Sequence, residues 1–127
     1  MERELGALAG GDATLEAVRK AALEGVSLLG RATRALLEAL ATQPERAMAV
    51  SVPYLKLCGY VIAGWLLAKS AAIAAPRATS GSERDFYAGK VHTAAFYAAQ
   101  VLPNAAALAR VVEAGGASVI ATDAALL

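Results

Sequence analysis

Along residues 13–42, hydrophobic and polar positions recur in alternating steps of three and four. Leu15, Val18, Ala22, Gly25, Leu29, Ala32, Leu36 and Ala39 form one stripe. Glu16, Lys20, Glu24, Ser27, Arg31, Arg34 and Glu38 fall within roughly 80° on the opposite side, at ~100° per residue. This is the signature of an amphipathic helix. Asp12 stands where a side chain can cap its first turn. Glu16–Lys20 and Arg34–Glu38 have the i,i+4 spacing of pairs that support a solvated face.

Gln43-Pro44 then makes a turn, with Pro44 at the first helical position of a second helix. Met48, Val52, Leu55, Gly59, Ile62 and Leu66 continue a three/four seam, read as its interior side. Pro53 falls inside this pattern, which predicts a kink or restart near Ser51–Val52. From Leu57 to Ala68 no residue is charged or strongly polar, so this stretch is apolar all round. Such a helix is either the centre of a bundle or a membrane span. A span needs ~20 largely apolar residues, and a mid-span Lys costs about 3 kcal/mol. Lys56 and Lys69 bracket only twelve, so a buried bundle helix is expected and no membrane span. Gly59 and Gly64 are read as close helix crossings.

Pro76 stops the second helix, and Ala78–Glu83 (ATSGSE) is the polar loop before the third. Ser82 with Asp85 resembles a capping box opening that helix. Phe86, Lys90, Ala94, Tyr97, Val101, Leu108 and Val112 share one face if it runs through Pro103, which should kink it and free the carbonyl of Ala99. Gly115-Gly116 ends the helix, and residues 118–127 read as a short helical remnant.

The fold class is therefore all-α. Three helices of about 30 residues, each ~45 Å long, form an antiparallel bundle with short terminal helical pieces, like a four-helix bundle. Residues 1–12 read as an N-terminal tail or the end of a preceding element, and 13–127 as a single helical-bundle domain. With three full helices, one side of the central one is expected to stay uncovered, which calls for a partner.

Composition sharpens this picture. The 127 residues include 33 alanines, which favour helix and let backbones approach closely. Net charge is +1 with signs interspersed, so the clustered basic face of a nucleic-acid binder is missing. The N-terminal MERELGALAGG has no apolar leader core. Cys58 is the single cysteine, in the most apolar stretch, and is expected as a buried thiol in the cytoplasm. Lys56 would lie roughly 160° round the helix from it, so no cation stabilises a thiolate. Lys90 on an apolar face is read as snorkelling or paired with a carboxylate. His92, the only histidine, has no metal-ligand partners at a suitable spacing. No residue is assigned to catalysis, cofactor or metal, and no enzyme activity is expected of this chain alone.

Pro53-Tyr54-Leu55-Lys56-Leu57-Cys58-Gly59-Tyr60-Val61, followed by Gly64-Trp65-Leu66-Leu67-Ala68, resembles the PYL…GWLLA segment of the C-terminal extension in a bacterial branch of acyl-CoA dehydrogenases. That branch includes enzymes like methylmercaptopropionyl-CoA dehydrogenase. Asp85-Phe86 with Lys90, then Ala95-Phe96-Tyr97-Ala98 and Val101-Leu102-Pro103, resembles its second motif. The motif positions are Pro53, Tyr54, Leu55, Gly59, Gly64, Trp65, Phe86, Lys90, Phe96, Tyr97 and Pro103. The resemblance implies an accessory domain that braces the catalytic core in cis or mediates dimerisation. It also implies that FAD and the catalytic carboxylate belong to that core and not to this chain. An autonomous dimerisation or protein-interaction module is the alternative.

Overall fold

The computed structural model describes residues 1–8, 12–122 and 125. Its elements are α1 (Glu2–Gly6), α2 (Ala13–Thr42), α3 (Pro44–Ala49), α4 (Ser51–Ala74), a 3₁₀ turn (Ala75–Arg77), α5 (Arg84–Phe96), a π-turn (Tyr97–Val101), α6 (Asn104–Ala114) and α7 (Ala117–Ile120). Among the described residues there is no strand. The long helices α2, α4 and the run α5–π–α6 pack on one another as an all-α bundle.

Local chemistry fixes the helix ends. Asp12 Oδ1 accepts from the Leu15 N–H at 2.9 Å, so α2 starts where its cap was expected. Pro44 opens α3. The second helix restarts where Pro53 led to the expectation of a kink or restart: α3 ends at Ala49, Val50 has φ −106° and ψ 10°, and α4 begins at Ser51. Pro53 thereby falls in the first turn of α4, where a missing N–H costs nothing. Ser82 does not cap α5, whose N-cap position is Glu83 without a side-chain bond. Pro103 is accommodated by the π-turn before it, closed by Leu102 N–H donating to Tyr97 O at 2.9 Å. Asn104 Nδ2 donates to the Val101 carbonyl at 2.8 Å. Glu16 pairs with Arg19, whose Nε donates at 2.8 Å, and not with Lys20.

The core is built from small side chains. One cluster holds Ala32, Val50, Leu57, Val61, Leu102, Ala105, Ala109 and Val112; the other holds Leu5, Val18, Ala22, Ala68, Ala71 and Ala94. Leu5 is fully buried, so α1 is part of the packed body. Leu102 is the wedge at the triple crossing. A Cβ on Gly64 would stand 3.0 Å from Leu102 Cδ2, and one on Gly25 would stand 3.4 Å from its Cδ1. Gly64 is therefore the close crossing that was expected. Gly59 is not: a Cβ there would meet nothing within 4 Å.

Two faces differ from the pattern reading. α4 buries Leu57, Val61, Gly64, Ala68, Ala71 and Ala74, so the seam read as interior points outward. A helix apolar on every side carries no periodic cue to which side is inside. In the third helix the buried stripe is Ala94, Leu102, Ala105, Ala109 and Val112, while Phe86 and Lys90 are exposed. Close packing selected the alanines, so side-chain size was the wrong guide. α5 leans mainly on α4, whereas α6 packs on both α2 and α4. The 118–127 remnant resolves into α7 up to Ile120, and residues 123, 124, 126 and 127 lie outside the described residues.

Candidate functional site

α4 presents the dominant surface feature. Val52, Leu55, Ile62, Leu66 and Ile73 are 40–71% exposed, and Met48 of α3 precedes them at 70%. With Gly59 and Lys69 they keep strict alternating steps of four and three. On a helix at ~100° per residue, the apolar members occupy an arc of about 80°. This is the spacing of the narrow a/d seam of a coiled coil, left exposed by the helices among the described residues. Ile73 extends it beyond the residues read from the sequence; the same spacing, followed past Lys69, would have found it.

The flanks of the seam are held in place. On one side, Tyr54 Oη and Thr33 Oγ1 of α2 share a hydrogen bond of 2.9 Å. On the other, Tyr97 Oη donates to the Tyr60 carbonyl at 3.1 Å. Burial raises the Tyr97 phenol above its ordinary value of 10.0, with the neighbouring Tyr60 adding to it. Lys69 Nζ sits 4.8 Å from the Trp65 ring centroid and donates to Glu4 Oε1 at 3.2 Å. That bond is the main cause holding the Glu4 carboxyl below its ordinary value of 4.5. The Trp65 indole nitrogen is buried without a hydrogen-bond partner, although it faces the Glu4 carboxylate closely enough to favour its charge.

The motif residues divide into two sets. Tyr54, Gly64, Trp65 and Tyr97 make the crossings just described, with Pro53 half-buried beside them. Leu55, Gly59, Phe86, Lys90, Phe96 and Pro103 are exposed. Phe86 and Phe96 are 61% and 59% exposed, and Lys90 Nζ lies 5.3 Å over the Phe86 ring in place of the expected carboxylate. His92 is exposed, and Cys58 is half-buried on the flank of α4, not deep in the core. Among the described residues, no three His, Cys, Asp or Glu side chains gather as metal ligands. Open grooves of about 350 and 180 Å³ run between α2 and the third helix; their linings share Ala21 and Ala98, and Glu24 is the sole charged residue among those lining them.

Ser51–Arg77 is long and apolar enough to cross a membrane, with a mean hydropathy of 1.6. Its inner side is nevertheless packed on α2, α5 and α6. What the surface offers is an exposed apolar face on a helical scaffold.

That scaffold has known kin. Residues 2–123 match the family described as acetyl-CoA dehydrogenase C-terminal like. The chain belongs to this family of acyl-CoA dehydrogenase C-terminal domains. It is 32% identical over 102 residues to the 3-methylmercaptopropionyl-CoA dehydrogenase of Ruegeria pomeroyi, covering 80% of this chain and 17% of that enzyme. Over 66 residues it is 41% identical to the broad-specificity linear acyl-CoA dehydrogenase FadE5 of Mycobacterium tuberculosis, covering 50% of this chain and 11% of that one. The matched part thus spans less than a fifth of either relative's length.

Proposed function

We propose that this chain serves as the non-catalytic C-terminal accessory domain of an FAD-dependent acyl-CoA dehydrogenase. It braces the catalytic core in cis and joins subunits into a dimer. The carrying observation is the split of the motif: Leu55, Gly59, Phe86 and Phe96 stand on the surface, the three side chains 59–71% exposed and Gly59 facing open space. Exposed apolar side chains in contiguous patches are the usual mark of a protein–protein contact. Exposed large apolar side chains lie on two different helices, along the α4 seam and at Phe86 and Phe96 of α5, which suits two contacts, one with another subunit and one with the core. In this reading FAD and the acyl-CoA are held by the core, and no residue here is assigned to either. The unpaired Cys58 accords with a reducing cytoplasm.

The test is reconstitution. The chain is co-expressed with the catalytic core of a family dehydrogenase lacking its own C-terminal segment. The expected result is co-purification, with a core that retains more flavin and melts at a higher temperature than when expressed alone. Serine at both Phe86 and Phe96 should weaken the complex while leaving the helical spectrum of the chain intact. A core that holds flavin and melts identically with and without the chain refutes the reading.

A further inference from the structure

We infer that the α4 seam is the subunit contact, and that it pairs antiparallel with the same seam of a second copy of this chain. This rests on the proposed role in joining subunits and names its surface and register. A strict a/d seam fits another helix at a shallow crossing angle, and not a flat or irregular surface. A second copy supplies one of matching length: Val52 to Ile73 spans ~32 Å at 1.5 Å per residue.

Register follows from the residues. An antiparallel pair with its two-fold axis between Tyr60 and Val61 sets Gly59 against the partner's Ile62. It also sets Leu55 against the partner's Leu66, and Met48 against the partner's Ile73. The bulkier side chain at the centre then meets the position with no side chain, where nothing now lies within 4 Å. Sliding by one heptad either way loses layers and places Gly59 against Lys69 or Leu55. Lys69, already bonded to Glu4 and stacked on Trp65, falls near the seam's end against the partner's Val52. Lys56 on the flank lies across from the partner's Ala63, so no like charges meet. A parallel pair would set Lys69 against its own copy and leave an empty layer at Gly59. The six exposed seam side chains offer roughly 600 Å² per protomer, and the flanks of α4 bring this toward the ~800 Å² of a standard interface.

The experiment uses the full chain, with Cys58→Ala to remove the native thiol. Cysteines at both Leu55 and Leu66 should give a covalent dimer on mild oxidation, because an a–d′ layer brings Cα atoms within disulfide reach. Leu55→Cys alone should not, since the two copies of residue 55 would be about 16 Å apart at 1.5 Å per residue. Leu55→Glu should weaken dimerisation at least about 100-fold with unchanged helicity, because an unpaired carboxylate would be buried twice. Cross-linking by Leu55→Cys alone overturns the register. A chain that stays monomeric at high concentration, or needs detergent to stay in solution, overturns self-pairing. Loss of core binding in Leu55→Glu without any change in self-association also overturns it, while leaving the accessory role standing. Dimers through the seam together with a core indifferent to the chain support the seam and refute the accessory role.

Discussion

Replacing Gly64 with alanine separates two effects that normally travel together. In an open helix interior, glycine to alanine stabilises by about 0.8–1 kcal/mol, because glycine loses the most backbone freedom on folding. At Gly64 the new methyl would stand 3.0 Å and 3.2 Å from the two terminal carbons of Leu102, and 3.6 Å from Tyr97 Cε1. Leu102 is only 5% exposed in the core cluster, so it gives way to the new methyl only by losing contacts it now makes. Overpacking of this kind costs about 1–3 kcal/mol, so the propensity gain is more than offset. The net expectation is a loss of roughly 1 kcal/mol. Gly89 is the control, because a Cβ there meets nothing within 4 Å and the site is exposed in α5. Gly89→Ala should gain what Gly64→Ala cannot, separating the two by roughly 2 kcal/mol, or about 8 °C in midpoint for a domain of this size. Urea unfolding followed by far-UV circular dichroism, at one fixed protomer concentration, measures both. Adding Leu102→Val to Gly64→Ala should recover part of the loss as a coupling energy. If Gly64→Ala stabilises as much as Gly89→Ala, the triple crossing is not close-packed and the core assignment of Leu102 fails.

Other perturbations probe the remaining contacts. Tyr97→Phe removes the 3.1 Å bond to the Tyr60 carbonyl and should cost about 1 kcal/mol in urea unfolding near neutral pH. The phenol is raised in the fold, so its neutral form contributes below its ordinary value of 10.0 and is lost as pH rises through the raised one. The gap between wild type and Tyr97→Phe should therefore close in alkali. Glu4 is lowered by Lys69, so its contribution is present above 4.5 and lost as pH falls through the lower folded value. A carboxyl NMR titration should find Glu4 below 4.5, and Lys69→Ala should move it upward. Gly116→Ala would drive a Cβ into that of Ala49, which forces α7 off α3. Amide hydrogen exchange across Ala117–Ile120 should then lose its protection while α2 and α4 keep theirs.

What could be read from sequence followed from where the physics leaves a periodic trace. α2 alternates charge and apolar residues, so its span, its Asp12 cap and its solvent face were all legible. α4 and the third helix carry no such contrast. In α4 both Leu55 and Leu57 are large and apolar, yet one is 71% exposed and the other fully buried. Only the neighbours that pack on it decide between them, and those are set by tertiary structure. Phe86 misled for the same reason, since Ala94 and Ala105 allow closer helix approach than any aromatic ring. The motif resemblance was legible, but not the division of its residues between crossings and surface.

The π-turn at Tyr97–Val101 gives the third helix one residue of slack. A π-turn holds one more residue than an α-turn for nearly the same rotation, so the surplus is absorbed locally and the flanking segments keep their faces. Removing one of the five would let the ladder close with Phe86 and Ala94 still aimed as they are. Pro103 would then sit inside a continuous helix, where its ring and missing N–H cost about 3 kcal/mol. A single-residue deletion there should therefore register as lost stability, with α5 still facing the same neighbours.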